Sequence, residues 1–198
     1  MKKTLSIITI CFAACMLVVT SCKKDKTDEE TETPVTPINP TLYEQVGGTT
    51  MKTDPTSPSK QIEAGRLALR SVVDSSIYII AGDTAMTKYF GVLLSEVTTG
   101  NTTGFAALSK NFTDFLCVAT GATNPAYAYT GKSMKAAHDP ASNSRMGLKV
   151  NAADFDKFVG DIGKGLVKNG VTSTGSTAQL YADLVKLLYT TKTDIVQR

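Results

Sequence analysis

From Leu42 onward apolar residues recur at spacings of three, four and seven, and no stretch alternates with a period of two. A chain with that pattern buries stripes on helices rather than one face of a sheet. Residues 59–81 place Ile62, Leu69, Val73, Ile77 and Ile80 near one helical face. Residues 103–120 do the same with Phe105, Leu108, Phe112, Phe115 and Ala119. Asn151 is a natural N-cap and Gly170 a natural stop for a third stripe of Phe155, Phe158, Val159, Ile162 and Leu166. A last helix is expected over 177–196, with Leu180, Leu184, Leu187 and Leu188 inward, and a short one over 133–138 capped by Ser133. Segments 48–58, 91–104 and 139–146 read as surface loops or insertions. The expected fold class is all-α, a helical bundle with irregular connections.

The N-terminus carries a different signal. Met1-Lys2-Lys3 is a short positive region, Leu5 to Val19 is an almost unbroken apolar run, and Val19-Thr20-Ser21-Cys22 closes it with small residues before a cysteine. The run is too short for a comfortable transmembrane helix and reads as a secretory signal over 1–21. Its ending looks like a bacterial lipobox, in which Cys22 becomes the lipidated first residue. The alternative is an uncleaved membrane anchor; both place the remainder outside the cytoplasm, attached to a membrane. Residues 22–40 are charged, Thr- and Pro-rich and nearly free of apolar side chains, so they read as a tether reaching roughly 60 Å. The folded domain is therefore expected over 41–198.

Of the 4 cysteines, Cys11 and Cys15 lie in the signal and Cys22 is the lipidation candidate. Only Cys117 remains, so the domain folds without an intramolecular disulfide and depends on packing or a bound cofactor. Without Lys2 and Lys3 the 21 basic residues fall to 19, against 18 acidic ones. That balance excludes a nucleic-acid partner recognised by a basic surface.

His138 is the sole histidine. A lone histidine is more often solvent-facing or satisfied than a ligand. Zinc needs three or four protein ligands, and no second His or CxxC pair exists. Covalent haem attachment needs CxxCH, which is absent. The metal centre that takes a single protein ligand is a haem, whose porphyrin supplies the other four donors. No nucleophile elbow accompanies His138, and Asp154 and Asp156 read as solvated charges. Gly160-Asp161-Ile162-Gly163-Lys164-Gly165 lies within an amphipathic helix without strand context, so its glycines suit close helix contact rather than phosphate binding.

Several motifs occur in a set order. Leu42-Tyr43-Glu44-Gln45-Val46-Gly47-Gly48 suits a short helix ended by a Gly-Gly pair; Val72-Val73-Asp74 and Tyr89-Phe90 follow; then comes Tyr129-Thr130-Gly131-Lys132-Ser133-Met134-Lys135-Ala136-Ala137-His138, and a long helix from Asn151 to Val171. Over residues 42–196 the chain resembles the truncated haemoglobins, most closely their first group. The resemblance implies a globin-like truncated helical sandwich with insertions, binding haem b. It makes His138 the proximal iron ligand, with Phe90, Met134, Leu108 and Phe112 packed on the porphyrin and Ile77 walling the distal side. Tyr129, Thr130 and Lys132 become propionate contacts. The chain departs from the family by some twenty residues inserted before Val72 and about ten after Phe90, with shorter insertions flanking His138. It also departs at the distal tyrosine, whose place falls to Ile77 with Tyr78 facing away.

The implied function is binding of a diatomic ligand, oxygen or nitric oxide, by an extracytoplasmic, lipid-anchored protein. With Ile77, Leu108 and Phe112 around it, the distal pocket is expected to be apolar and oxygen to leave quickly. Two alternatives stay open: a lipoprotein that captures or transfers haem, and a haem-free globin-like interaction or sensor domain. An enzymatic role would need an electron donor and polar distal help that the sequence does not display.

Overall fold

The computed structural model describes residues 39–198. The signal at 1–21, Cys22 and nearly all of the tether lie outside the described residues. What is described is mostly helical. Thr41 caps α1 (Leu42–Gln45), accepting from Glu44 N while the Glu44 carboxylate accepts from Thr41 N at 2.6 Å. Gly47 and Gly48 then turn the chain at φ 127° and 58°, values that favour glycine.

The stretch expected to be a loop over 48–58 is instead part of an antiparallel hairpin, β1 (Met51–Asp54) and β2 (Ser57–Glu63). Most of its side chains are exposed, so neither strand has the apolar alternation that would mark it in the sequence. Arg70 ties it down through two bonds to the Asp54 carboxylate, at 2.8 and 3.1 Å. The hairpin also delays the next helix: α2 spans Ala64–Ala81, and Ile62 belongs to β2.

After α2 come the single-turn α3 (Thr84–Thr87) and α4 (Gly91–Thr98), the latter a correction to the loop expected over 91–104. Its first turn is the apolar Val92-Leu93-Leu94, and Leu93 is buried. Helix α5 covers Thr103–Thr120, as its periodicity predicts, and stops at Gly121 with φ 101°. Helix α6 (Met134–Ala137) has Ser133 as its N-cap. Helix α7 (Ala152–Lys168) begins at Asn151, whose side chain accepts from Asp154 N at 2.8 Å, and is followed by Gly170 at φ 83°. The expected last helix is broken into α8 (Ala178–Tyr189) and α9 (Lys192–Ile195). At the break the Thr190 and Thr191 hydroxyls donate back to Leu187 O and Leu188 O, competing with the helical ladder.

Helix α2 is central, packing on α5 and on α7. Leu69, Val73, Ile77, Leu116, Cys117, Phe155, Val159 and Ile162 form the main core. The closest approach is at Gly165, where an added Cβ would collide with the Ser76 hydroxyl and lie 3.2 Å from the Val72 carbonyl oxygen. The glycine-rich stretch of α7 thus serves helix contact. Cys117 is a buried free thiol, and burial pushes its pKa up to about 11. Among the described residues no helix is long and apolar enough to cross a membrane.

Candidate functional site

A cavity of about 620 Å³ opens beside this core, within the roughly 300–1,000 Å³ usual for small-molecule and cofactor sites. All nine domain residues singled out in the sequence lie on it. Ile77 comes from α2, Phe90 from the turn before α4, and Leu108 and Phe112 from α5. Tyr129, Thr130 and Lys132 sit on the segment leading into α6, Met134 in α6 itself, and His138 at its C-cap. Tyr78, next to Ile77, is 75% exposed, so Ile77 is the inward residue of the two.

His138 is fixed by geometry that follows from its place in the helix. Its Nδ1 lies 2.8 Å from the Met134 carbonyl oxygen, four residues back. A carbonyl only accepts, so the ring proton sits on Nδ1 and Nε2 carries the lone pair. Burial holds the imidazolium pKa below its ordinary value of 6.5, partly countered by the bond to Met134, so the ring is neutral at pH 7. Among the described residues Nε2 has no hydrogen-bond partner. The rest of the short helix is held as firmly: Asn143 Nδ2 donates to Ala137 O at 2.7 Å and Gln197 Nε2 to Lys135 O at 2.9 Å. The Ala137 and Lys135 carbonyls thus accept from side chains that come from elsewhere, Lys135 O in addition to the His138 N–H.

The walls are apolar and only partly covered. Phe90, Phe105, Leu108, Phe112, Phe115 and Phe158 are each half-buried beside the cavity. Phe112 and Phe158 meet with ring centroids 6.2 Å apart, and Phe115 meets Tyr129 edge-on at the same distance. Thr130 and Lys132 are exposed and form part of the rim, and the Tyr129 hydroxyl donates to Lys132 O.

Several lining residues were not singled out in the sequence. Tyr89 is 1% exposed and its hydroxyl donates to the Asp154 carboxylate while accepting from Arg198 Nη2 at 3.2 Å. Asp154 also pairs with Lys88 Nζ at 3.0 Å. These bonds, the one from Tyr89 first, hold its carboxyl below the usual range. Asp154 is therefore no freely solvated charge but part of a network on the cavity wall, whereas Asp156 is half exposed and pairs with Lys192. Leu93 and Leu94 of α4 line the cavity too, as does Arg145, whose Nε lies 3.0 Å from Glu96 Oε1. The α5 wall also includes the half-buried Asn111. Its spacing of three from Leu108 and four from Phe115 was the available signal.

Among the described residues no three His, Cys, Asp or Glu side chains cluster to hold a metal ion by themselves. The donor set is one imidazole nitrogen over an apolar chamber. It suits a metal that brings its remaining ligands in a flat organic ring. The chain matches no protein-family model and has no significant match among curated proteins.

Proposed function

We propose that residues 41–198 form a globin-like haem-binding domain in which His138 would hold the iron, so that the protein takes up a diatomic gas. The observation that carries this reading is the unpartnered Nε2 of a neutral, oriented His138 on an apolar cavity of about 620 Å³. Metal-bound histidines characteristically donate their second ring nitrogen to a carbonyl or carboxylate, as His138 does to Met134. When bound, haem b supplies an iron with one coordination position left for a small ligand.

The chain's own residues do the rest. Met134 O fixes the imidazole plane, and burial keeps Nε2 free of a proton. Phe90, Met134, Leu108, Phe112 and Ile77, which line the cavity, would pack against the porphyrin and exclude water. Covering these half-buried rings would recover about 25 cal/mol for each Å² of apolar surface removed from water. Thr130 and Lys132, exposed at the rim, and Tyr129 beside them would face the propionates. A lipid on Cys22 and the tether of 22–40 hold the domain at a membrane outside the cytoplasm, a reading carried by the sequence of 1–22.

Titrating haemin into the protein lacking 1–22 tests the function. A sharp Soret band saturating at one haem per chain, lost or shifted in His138→Ala, is the expected result. Absence of a stoichiometric band would leave a haem-free helical domain. Rapid loss of haem to an acceptor apoprotein would favour haem capture instead.

A further inference from the structure

Helix α6, which ends at His138, is a single turn, and a helix that short does not hold itself together in water. Its position has to come from what grips it. It packs on α9, and the residues just after α9 reach back to it. Gln197 Nε2 donates to Lys135 O at 2.9 Å, across 62 residues of chain. Lys135 O is also the acceptor of the His138 backbone N–H, at 3.3 Å.

Gln197 is itself presented from an anchored backbone. The Gln197 and Arg198 N–H groups donate to Val150 O at 2.9 and 3.3 Å, and the buried Val150 stands directly before the Asn151 cap of α7. Arg198 Nη2 then lies 3.2 Å from the Tyr89 hydroxyl and 3.5 Å from the Asp154 carboxylate on the cavity wall. The grip therefore runs from the start of α7, through the Gln197 amide, to the turn that carries the imidazole. The other bonds to that turn are local. Met134 O orients the ring from within α6, and Asn143 holds Ala137 O from the loop that follows the histidine.

We propose that Gln197 is a positioning residue for His138: by donating from Nε2 to Lys135 O it fixes the backbone turn beneath the imidazole, and so sets how firmly His138 would hold the iron. The proposal rests on the haem reading above. Met134 aims the ring; Gln197 fixes the place it is aimed from.

The test compares wild type with Gln197→Met, which keeps the length of the side chain and removes the donor, and with Gln197→Ala. In the haem-free protein, hydrogen exchange at the His138 backbone amide is expected to quicken about tenfold, with the α5 amides unchanged. In the haem-loaded protein, loss of haem to an acceptor apoprotein should quicken about tenfold, the lower end of what removing outer partners of a metal ligand costs. The second effect should vanish in His138→Gly supplied with imidazole, where the ligand no longer hangs from the backbone. Unchanged exchange at His138, a quickening shared equally by α5, or an effect on haem loss that persists beside free imidazole would each overturn the proposal while leaving the haem reading intact. A wild type that takes up no haem defeats the haem reading instead, and the role of Gln197 towards iron falls with it.

Discussion

The two sides of α5 are built on opposite principles. On the side facing α2, Asp114 is fully buried and paired with Arg66 at 2.7 Å and with Lys110 at 2.6 Å. Arg66 lies over the Tyr127 ring and reaches Cys117 Sγ at 3.7 Å, leaving its guanidinium well occupied. On the other side Phe105, Leu108, Phe112 and Phe115 are large, apolar and only half covered. A helix that buries an ion-paired carboxylate on one face, yet leaves aromatic rings partly bare on the other, would on the proposed reading separate stability from binding. The sealed face fixes where α5 lies; the open face presents what an occupant must cover.

The strongest way to break this comparison is Asp114→Ala. Removing a fully buried carboxylate strands Arg66, and is expected to cost about 3 kcal/mol in chemical denaturation. Haem uptake per folded molecule should hardly change. A loss within 0.5 kcal/mol, the range of about ±0.5 kcal/mol typical of surface changes, would refute the sealed side. Gly165→Ala probes the contact that sets α2 against α7. Its Cβ meets Ser76, and the expected cost is about 1–3 kcal/mol, partly recovered by combination with Ser76→Ala.

Phe112→Ala sharpens the open side. A fully buried phenylalanine costs about 3–5 kcal/mol on truncation, and half-buried Phe112 should cost clearly less in the apoprotein. The same variant should weaken haem retention more than it weakens folding. A full core-sized loss of stability would show that the wall is already packed without an occupant.

The smallest effect expected is one of pH. Because burial lowers the folded imidazole pKa of His138 below 6.5, the unfolded chain takes up the proton first as pH falls. The contribution from this group is complete above about 6.5, declines as pH drops towards the lowered folded value, and is constant below it. Denaturation midpoints of the apoprotein should show this decline, and His138→Leu should remove it. An identical decline in both proteins would mean that His138 is not held neutral by its surroundings.

How much of this was legible depended on whether burial leaves a period in the sequence. Helix α5 could be read to its last residue because its apolar stripe runs its whole length. The cap at Asn151 and the short helix before His138 were legible for similar local reasons. The hairpin was not, because its exposed strands owe their position to Arg70 and Asp54, from different parts of the chain. Helix α4 was obscured by the Thr- and Gly-rich residues that follow it. At the site, His138 and its apolar neighbours could be named from the resemblance. The Tyr89–Asp154 network could not, because a polar residue at helical spacing shows its role only when its partners are seen.

The central claim is that His138 supplies the fifth donor to a bound iron, and imidazole rescue tests it most directly. Ferrous haem-loaded wild type should give a resonance Raman iron–histidine band. His138→Gly should lose that band, and added imidazole should restore one by filling the space vacated by the side chain. A wild-type spectrum without an iron–histidine band, or one that His138→Gly leaves unchanged, would contradict the account.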